Sequence, residues 1–320
     1  MELLTRYRDA LAQEMRSLLE GPPSPLLTMC RYHLGLSSSD GEPLEGPAGK
    51  MLRPALCLAL CDALGGDVPT CLPAALSLEL LHRTSLVLDD VQDHSTERND
   101  RPTVWGVWGV EHALNAGLVL SSHARLALHG MLDRGASPEL VLRLHRVLER
   151  TAMDPCHGQY LDLAYRSGWL SLPGYREMAR LKTGALLGAS CRVAALTAGR
   201  DDLESPALLF GEALGVAFQY RDDILGAWGD EAILGKAPDD LEEGRRTLPV
   251  ALAVEASPTL PGDIAELRRL VDTPAIRERA EAEAGHAAEE ALALLKGLCL
   301  SGAWESAFQG LIGFVLTRNV

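Results

Sequence analysis

The chain has 320 residues, a formal charge of −14 and 47% hydrophobic residues, enough apolar material for a sizeable core in one to three domains. That acidity, with no long basic stripe, argues against nucleic acid as a partner. The seven cysteines (Cys30, Cys57, Cys61, Cys71, Cys156, Cys191, Cys299) show no CxxC spacing and read as reduced core thiols of a cytoplasmic protein, not as a disulfide framework.

Met1 to Glu20 is a charged amphipathic helix pattern, unlike a secretion signal. The Ser-, Gly- and acid-rich stretch from Ser37 to Gly49 is expected to be a disordered loop. Gly49-Lys50-Met51-Leu52-Arg53-Pro54 then places two cations three residues apart at the opening of a helix, where they can clamp an anion. Helical spacing follows at Leu56, Leu60 and Leu64, and again at Leu76, Leu80 and Leu81. The second of these helices runs into Asp89-Asp90-Val91-Gln92-Asp93, whose Asp89 and Asp93 lie one turn apart on one face. Arg98 falls just past the helix end. Trp105 and Trp108 read as helix packing, and His112, His123 and His129 have no metal-like spacing. Gly184 to Gly199 is apolar but interrupted by Arg192, short of a membrane span. Phe210, Leu214 and Ala217 lead a further helix into a second acidic pair, Asp222-Asp223. Lys236, Arg245 and Arg246 fall in the loop beyond it, and residues 263–320 form a charged, helical tail. Alternation of period two is essentially missing, so the expectation is all-α: ten or more helices in a single large bundle, 1–320 as one domain.

Carboxylates crowded on an otherwise apolar helix wall repel one another unless something positive compensates. Two such walls facing each other could hold Mg²⁺, with a diphosphate supplying the remaining oxygen ligands. The order of the motifs resembles the trans-isoprenyl diphosphate synthase (polyprenyl synthetase) family, from about residue 45 to residue 255. Its DDxxD motif matches Asp89, Asp90 and Asp93 with Arg98 following, and its Gly-Lys-x-x-Arg-Pro motif matches Gly49 to Pro54. Glu79 to His82, Gly158-Gln159 with Asp162, Lys182-Thr183, and Phe218-Gln219 with Asp222-Asp223 complete six motifs in family order.

The resemblance implies an isoprenoid synthase bundle around a central cavity, with both aspartate motifs at its mouth. Asp89, Asp90, Asp93, Asp222 and Asp223 are the implied metal residues, with three Mg²⁺ bridged chiefly by Asp89, Asp93 and Asp222. Arg98, Lys182 and Lys236 would hold an allylic diphosphate, with Arg245 a further substrate-binding residue in that loop. Lys50, Arg53 and His82 would hold isopentenyl diphosphate. Ionisation to an allylic cation would follow, stabilised by the oxygen dipoles of Thr183 and Gln219. Thr84 and Ser85, one turn before the first motif, would form the cavity floor; both are small, favouring geranylgeranyl diphosphate or a longer product. A homodimer with no membrane span is the implied assembly.

Three departures stand out. The family's Arg-Arg-Gly after the first motif is Arg98-Asn99-Asp100 here, and a lost charge-assisted contact costs about 1.5–3 kcal/mol. Arg101 is a candidate to compensate. The second motif ends at Gly226 where an aspartate is usual, and Arg245 stands where a lysine is usual. Two alternatives therefore stay beside chain elongation: a class I terpene synthase of the same fold, and a non-catalytic subunit of a heteromeric synthase.

Overall fold

In the computed structural model the described residues are 2–46, 49, 51–165, 168–229, 241, 244–257 and 261–317. They divide into two compact units, Met1–Ala152 with Ala189–Glu204, and Met153–Gly188 with Ser205–Val320.

The first unit is built on α1 (Glu2–Thr5), α2 (Arg8–Leu18), α3 (Pro25–His33), α4 (Leu52–Ala63), α5 (Val68–Gln92), α6 (Val104–Trp108), α7 (Val110–His129) and the start of α8 (Pro138–Ala164). Its axis is α5, packed chiefly on α7 and α4. Asp67 caps α5 by accepting from the Thr70 amide at 3.0 Å. Pro73 lies inside the helix and cannot donate to the carbonyl four residues back. That carbonyl, of Pro69, is instead met by Arg134 Nη1 at 2.7 Å. Ser77 Oγ ties α5 to α7 through the Ala124 carbonyl (2.6 Å). By length and composition α5 could cross a membrane, but 72% of its most apolar window is buried inside the protein.

Two segments differ from the sequence expectation. Residues 37–46 fold into a tight excursion: the Leu44 amide donates to the Leu36 carbonyl (2.9 Å) and the Ser38 amide to the Glu42 carbonyl (2.8 Å). Glycine and acidic residues signal turn chemistry as readily as disorder. A short antiparallel ribbon, β1 (Glu97–Arg98) and β2 (Arg101–Pro102), pairs Glu97 with Pro102 and Arg98 with Arg101. Two-residue strands are too short to show alternation. The ribbon comes from its turn, where Asn99 and Asp100 both have positive φ (51° and 58°), the backbone of a hairpin turn that asparagine and aspartate tolerate.

The second unit contains the end of α8, α9 (Leu172–Ala179), a π-helical turn (Arg180–Gly184), the start of α10 (Ala185–Thr197) and most of α11 (Glu204–Trp228). It continues through α12 (Leu248–Ala256), α13 (Ile264–Val271), α14 (Pro274–Lys296) and α15 (Gly302–Thr317). The charged tail is thus a packed part of the fold. Phe308 of α15 is fully buried and meets Phe210 of α11 edge-on, ring centres 6.0 Å apart.

Candidate active site

Each unit carries one of the two aspartate motifs. In the first, Asp89 and Asp90 fill the last turn of α5 and Asp93 is its C-cap, the Asp93 amide donating to the Asp89 carbonyl at 2.8 Å. A helix C-terminus is the negative end of the dipole and favours cations, yet this last turn contains no basic side chain. Three carboxylates at that end require a positive partner from elsewhere.

For Asp90 that partner is Arg98. Asp90 is 2% exposed. Arg98 Nε lies 2.9 Å from Oδ1 and 3.2 Å from Oδ2, and Nη2 lies 2.7 Å from Oδ1, a fork-on-carboxylate pair. Burial raises the Asp90 pKa, and Arg98 opposes that shift. Asp89 is half-buried and Asp93 exposed.

Behind this turn lies a basic cluster. Arg83 is buried against a buried acid, its Nε donating to Glu79 Oε1 at 2.7 Å. Gly49 has φ +86°, and a Cβ there would stand 3.1 Å from Arg83 Nη2, so the glycine of this motif keeps the loop open over the guanidinium. His82 is held neutral: burial and then the charges of Arg53, Arg83 and Arg98 push its pKa well down. It enters the site as a hydrogen-bonding group and not as a cation. Arg101 does not take over from the missing arginine at Asn99. Its guanidinium donates to the Tyr32 and Ser37 carbonyls (3.2 and 3.0 Å) and stacks on the Tyr32 ring at 4.1 Å. Trp105 donates to the Ser95 carbonyl (2.8 Å) and Trp108 packs edge-on against Tyr32, which makes both tryptophans packing residues.

In the second unit, Lys182 and Thr183 sit on the π-helical turn, a rare geometry concentrated at functional sites. Lys182 Nζ donates to Gln159 Oε1 and Asp162 Oδ2, both at 2.7 Å. A Cβ on Gly158 would fall 2.6 Å from Lys182 Cγ and 3.0 Å from its amide nitrogen. Gly-Gln-x-x-Asp is therefore the cradle of this lysine: the glycine admits it, and the glutamine and aspartate aim it. The motif was visible in the sequence, but the roles of Gln159 and Asp162 were not, because the lysine lies 23 and 20 residues away.

A second chain of bonds runs through the other acidic pair. Thr183 Oγ1 donates to Gln219 Oε1 (2.6 Å), and Gln219 Nε2 donates to Asp223 Oδ1 (2.7 Å). Asp223 Oδ2 accepts from the Tyr175 hydroxyl and from the Leu248 amide (2.8 Å) at the start of α12. Asp223 is 5% exposed, and burial together with the Asp223 charge holds the Tyr175 phenol far above its ordinary pKa. Asp222 is half-buried. Arg245 is exposed, and its neighbour Arg246 donates to the Tyr165 carbonyl at 2.9 Å. Lys50 and Lys236 lie outside the described residues.

Asp89, Asp93 and Asp222 are exposed or half-buried oxygen donors, of the kind Mg²⁺ would take. Among the described residues no three histidine, cysteine or acidic side chains converge into a metal cage, and Mg²⁺ is ordinarily held by one or two carboxylates plus water and phosphate oxygens.

The sequence profile of the Polyprenyl synthetase family matches residues 42–282. The chain belongs to the polyprenyl synthetase family. It is 38% identical over 268 residues to the geranylgeranyl diphosphate synthase of Mycobacterium tuberculosis, covering 83% of this chain and 75% of that one. It is 36% identical over 257 residues to a (2E,6E)-farnesyl diphosphate synthase of Mycobacterium bovis, covering 79% and 70%. The crystal structure of a polyprenyl synthetase from Streptomyces coelicolor A3(2) superposes with a TM-score of 0.86 at 28% identity, covering 98% and 99% of the two chains. The all-α isoprenoid synthase fold of this polyprenyl synthetase thus agrees with the reading of its motifs.

Proposed function

We infer that this polyprenyl synthetase is a trans-prenyltransferase that condenses isopentenyl diphosphate with an allylic diphosphate. Family membership makes it an enzyme of the prenyl diphosphate synthase type. The observation that carries the reading at the level of residues is the Lys182 cradle. A lysine aimed by a buried glutamine and a part-buried aspartate is a positioned anion-binding group, of the kind a departing diphosphate needs.

The chain's own residues divide the work. Asp89 and Asp93 in the first unit and Asp222 in the second are the carboxylates we assign to Mg²⁺, three ions in all. Asp90 and Asp223 are anchors, because Arg98 occupies the first and three donors occupy the second. Bound Mg²⁺ supplies charge neutralisation of the diphosphate, easing ionisation of the allylic C–O bond. Lys182 and Arg98, with Lys236 and Arg245, hold the allylic diphosphate, and Lys50, Arg53 and His82 hold that of isopentenyl diphosphate. The Thr183 and Gln219 oxygens, fixed by the bonds to Asp223, stabilise the allylic cation. Thr84 and Ser85 leave room for geranylgeranyl diphosphate or a longer product. Exposed leucines at Leu114 and Leu118, one turn apart on α7, with Leu126 and Leu142, support a homodimer. The free thiols suit the cytoplasm.

Incubation with Mg²⁺ and farnesyl diphosphate, with and without isopentenyl diphosphate, tests the reading. Longer diphosphates are expected only when both substrates are present. A hydrocarbon or alcohol from farnesyl diphosphate alone would refute it in favour of cyclisation.

A further inference from the structure

We propose that His33 is an additional residue for binding isopentenyl diphosphate, its Nε2 meeting one phosphate oxygen beside Arg98 and Asn99. This rests on the substrate assignment above and adds to it a residue from α3, outside every motif that carries the family resemblance.

His33 ends α3 and its ring faces the basic cluster. Its Nε2 is buried and meets no hydrogen-bond partner in the protein, an uncommon state for a buried polar atom. A main-chain hydrogen bond with Arg83 leaves Nε2 unmet and so falls to the other ring nitrogen. A cleft of about 20 Å³ opens beside it, lined by Tyr32, His33, Asp90, Arg98, Asn99 and Arg101 among others. That volume admits one oxygen atom and not a whole diphosphate. The charged and titratable groups facing the ring are Arg83 and His82 on α5, Arg98 on β1 and Arg101 on β2, with Asp90 at the cleft wall. Asp90 would repel an anion, but Arg98 holds it bidentately. Asn99 is neutral and Arg101 is committed to Tyr32 and Ser37. His33 is thus the group placed to meet an incoming phosphate oxygen here.

The bond has a chemical signature. Burial and the neighbouring arginines push the His33 pKa down to about 3, so the free protein presents a neutral imidazole. With one nitrogen donating to the Arg83 carbonyl, Nε2 can only accept. A bond to phosphate then needs a proton, and the ligand can carry it, since a terminal phosphate keeps its last proton up to about pH 6. Above that pH, binding through His33 draws one proton from solvent and shares it between Nε2 and the phosphate oxygen. Glutamine in place of His33 can donate an N–H without any such proton.

The test compares the full-length wild type with His33→Gln and His33→Phe. In steady state with Mg²⁺ and saturating farnesyl diphosphate, His33→Phe is expected to raise KM for isopentenyl diphosphate about tenfold or more. KM for farnesyl diphosphate should stay unchanged, and His33→Gln should remain within about threefold of wild type. Calorimetric titration of isopentenyl diphosphate into the Mg²⁺-loaded protein, in two buffers of different ionisation enthalpy at pH 7.5, should show proton uptake approaching one in the wild type. In His33→Gln it should fall to a small remainder. Should His33→Phe fail to fold, the glutamine variant and its proton count still decide the matter. An unchanged KM in a folded His33→Phe, or equal proton uptake in wild type and His33→Gln, would overturn the proposal while elongation by the wild type leaves the enzyme reading intact. A wild type that does not elongate at all would overturn that reading and this proposal with it.

Discussion

Asp223 provides the sharpest test of how the acidic doublets are used. Its carboxylate accepts from the Tyr175 hydroxyl, Gln219 Nε2 and the Leu248 amide. Alanine would leave three donors unmet in a buried place, each costing about 1–3 kcal/mol. An additive sum of roughly 3–9 kcal/mol reaches the whole stability of an ordinary domain, so Asp223→Ala should be largely unfolded. Asparagine is different. Its oxygen can keep the Tyr175 and Leu248 donors, which share Oδ2, while its amide points at Gln219. If Gln219 flips, its oxygen accepts from Asn and its nitrogen donates to Thr183 Oγ1, and every partner is again satisfied. Only charge assistance is lost, about 1–3 kcal/mol in total. Asp223→Asn should therefore fold, show a modestly lower urea midpoint, and keep its Mg²⁺ half-saturation within about threefold of wild type. Asp222→Asn should shift that half-saturation by at least tenfold. The assay is incorporation of labelled isopentenyl diphosphate across a Mg²⁺ series. A tenfold shift for Asp223→Asn, with Asp222→Asn unaffected, would refute the division into anchor and metal ligand.

Asp162→Asn removes the carboxylate partner of Lys182 at 2.7 Å; single-turnover ionisation of farnesyl diphosphate should slow by at least tenfold, and an unchanged rate would show that Gln159 alone aims the lysine. His33 and His82 both have folded pKa values below their unfolded value, so the unfolded chain binds protons below about pH 6.5 that the folded chain does not. Stability should fall as pH drops through that value, by at most about 1.4 kcal/mol per pH unit for each imidazole. Urea midpoints at pH 7.5 and 5.5 would check this, with a smaller loss expected in His33→Gln. Ser85 is half-buried and its Oγ donates to the His82 carbonyl at 2.8 Å; Ser85→Phe should shorten the principal product by at least one isoprene unit, and an unaltered product distribution by thin-layer chromatography would place the floor elsewhere.

How far the sequence could be read depends on the distance over which each interaction acts. The helices of the bundle and the acidic doublets were legible because period and charge are local. The Arg83–Glu79 pair is local in the same way, one turn apart on one helix. The inward roles of Asp90 and Asp223 were not legible, because they depend on Arg98 in a ribbon and on Tyr175, 48 residues from Asp223. The ribbon, like the Ser37 to Gly49 stretch expected to be a disordered loop, is a short turn-rich segment, and such segments carry no periodicity. Arg101 looked free to replace the lost arginine, and only the approach of α3 shows that Tyr32 has claimed it. Nothing in the spacing singles out His33.

The paired aspartates of both motifs follow from helix geometry. Consecutive residues point about 100° apart around a helix, so two adjacent carboxylates cannot both face one ligand. In the first motif Asp89 shares its face with Asp93, four residues on, and Asp90 turns inward to Arg98. In the second, Asp223 turns inward to Tyr175, Gln219 and Leu248, which leaves Asp222 on the other face. Each doublet is then one outward carboxylate and one buried brace that fixes the angle of the helix carrying it. On this reading the substitution at Gly226 costs little. Gly226 stands four residues after Asp222, as Asp93 does after Asp89, so an aspartate there would add one outward ligand and leave the brace unchanged. Gly226→Asp should accordingly lower the Mg²⁺ concentration needed for half-maximal rate without altering the unfolding free energy from urea titration by more than about 0.5 kcal/mol. A large stability change from that substitution would mean that position 226 belongs to the packing of α11 and that the doublet logic does not extend to it.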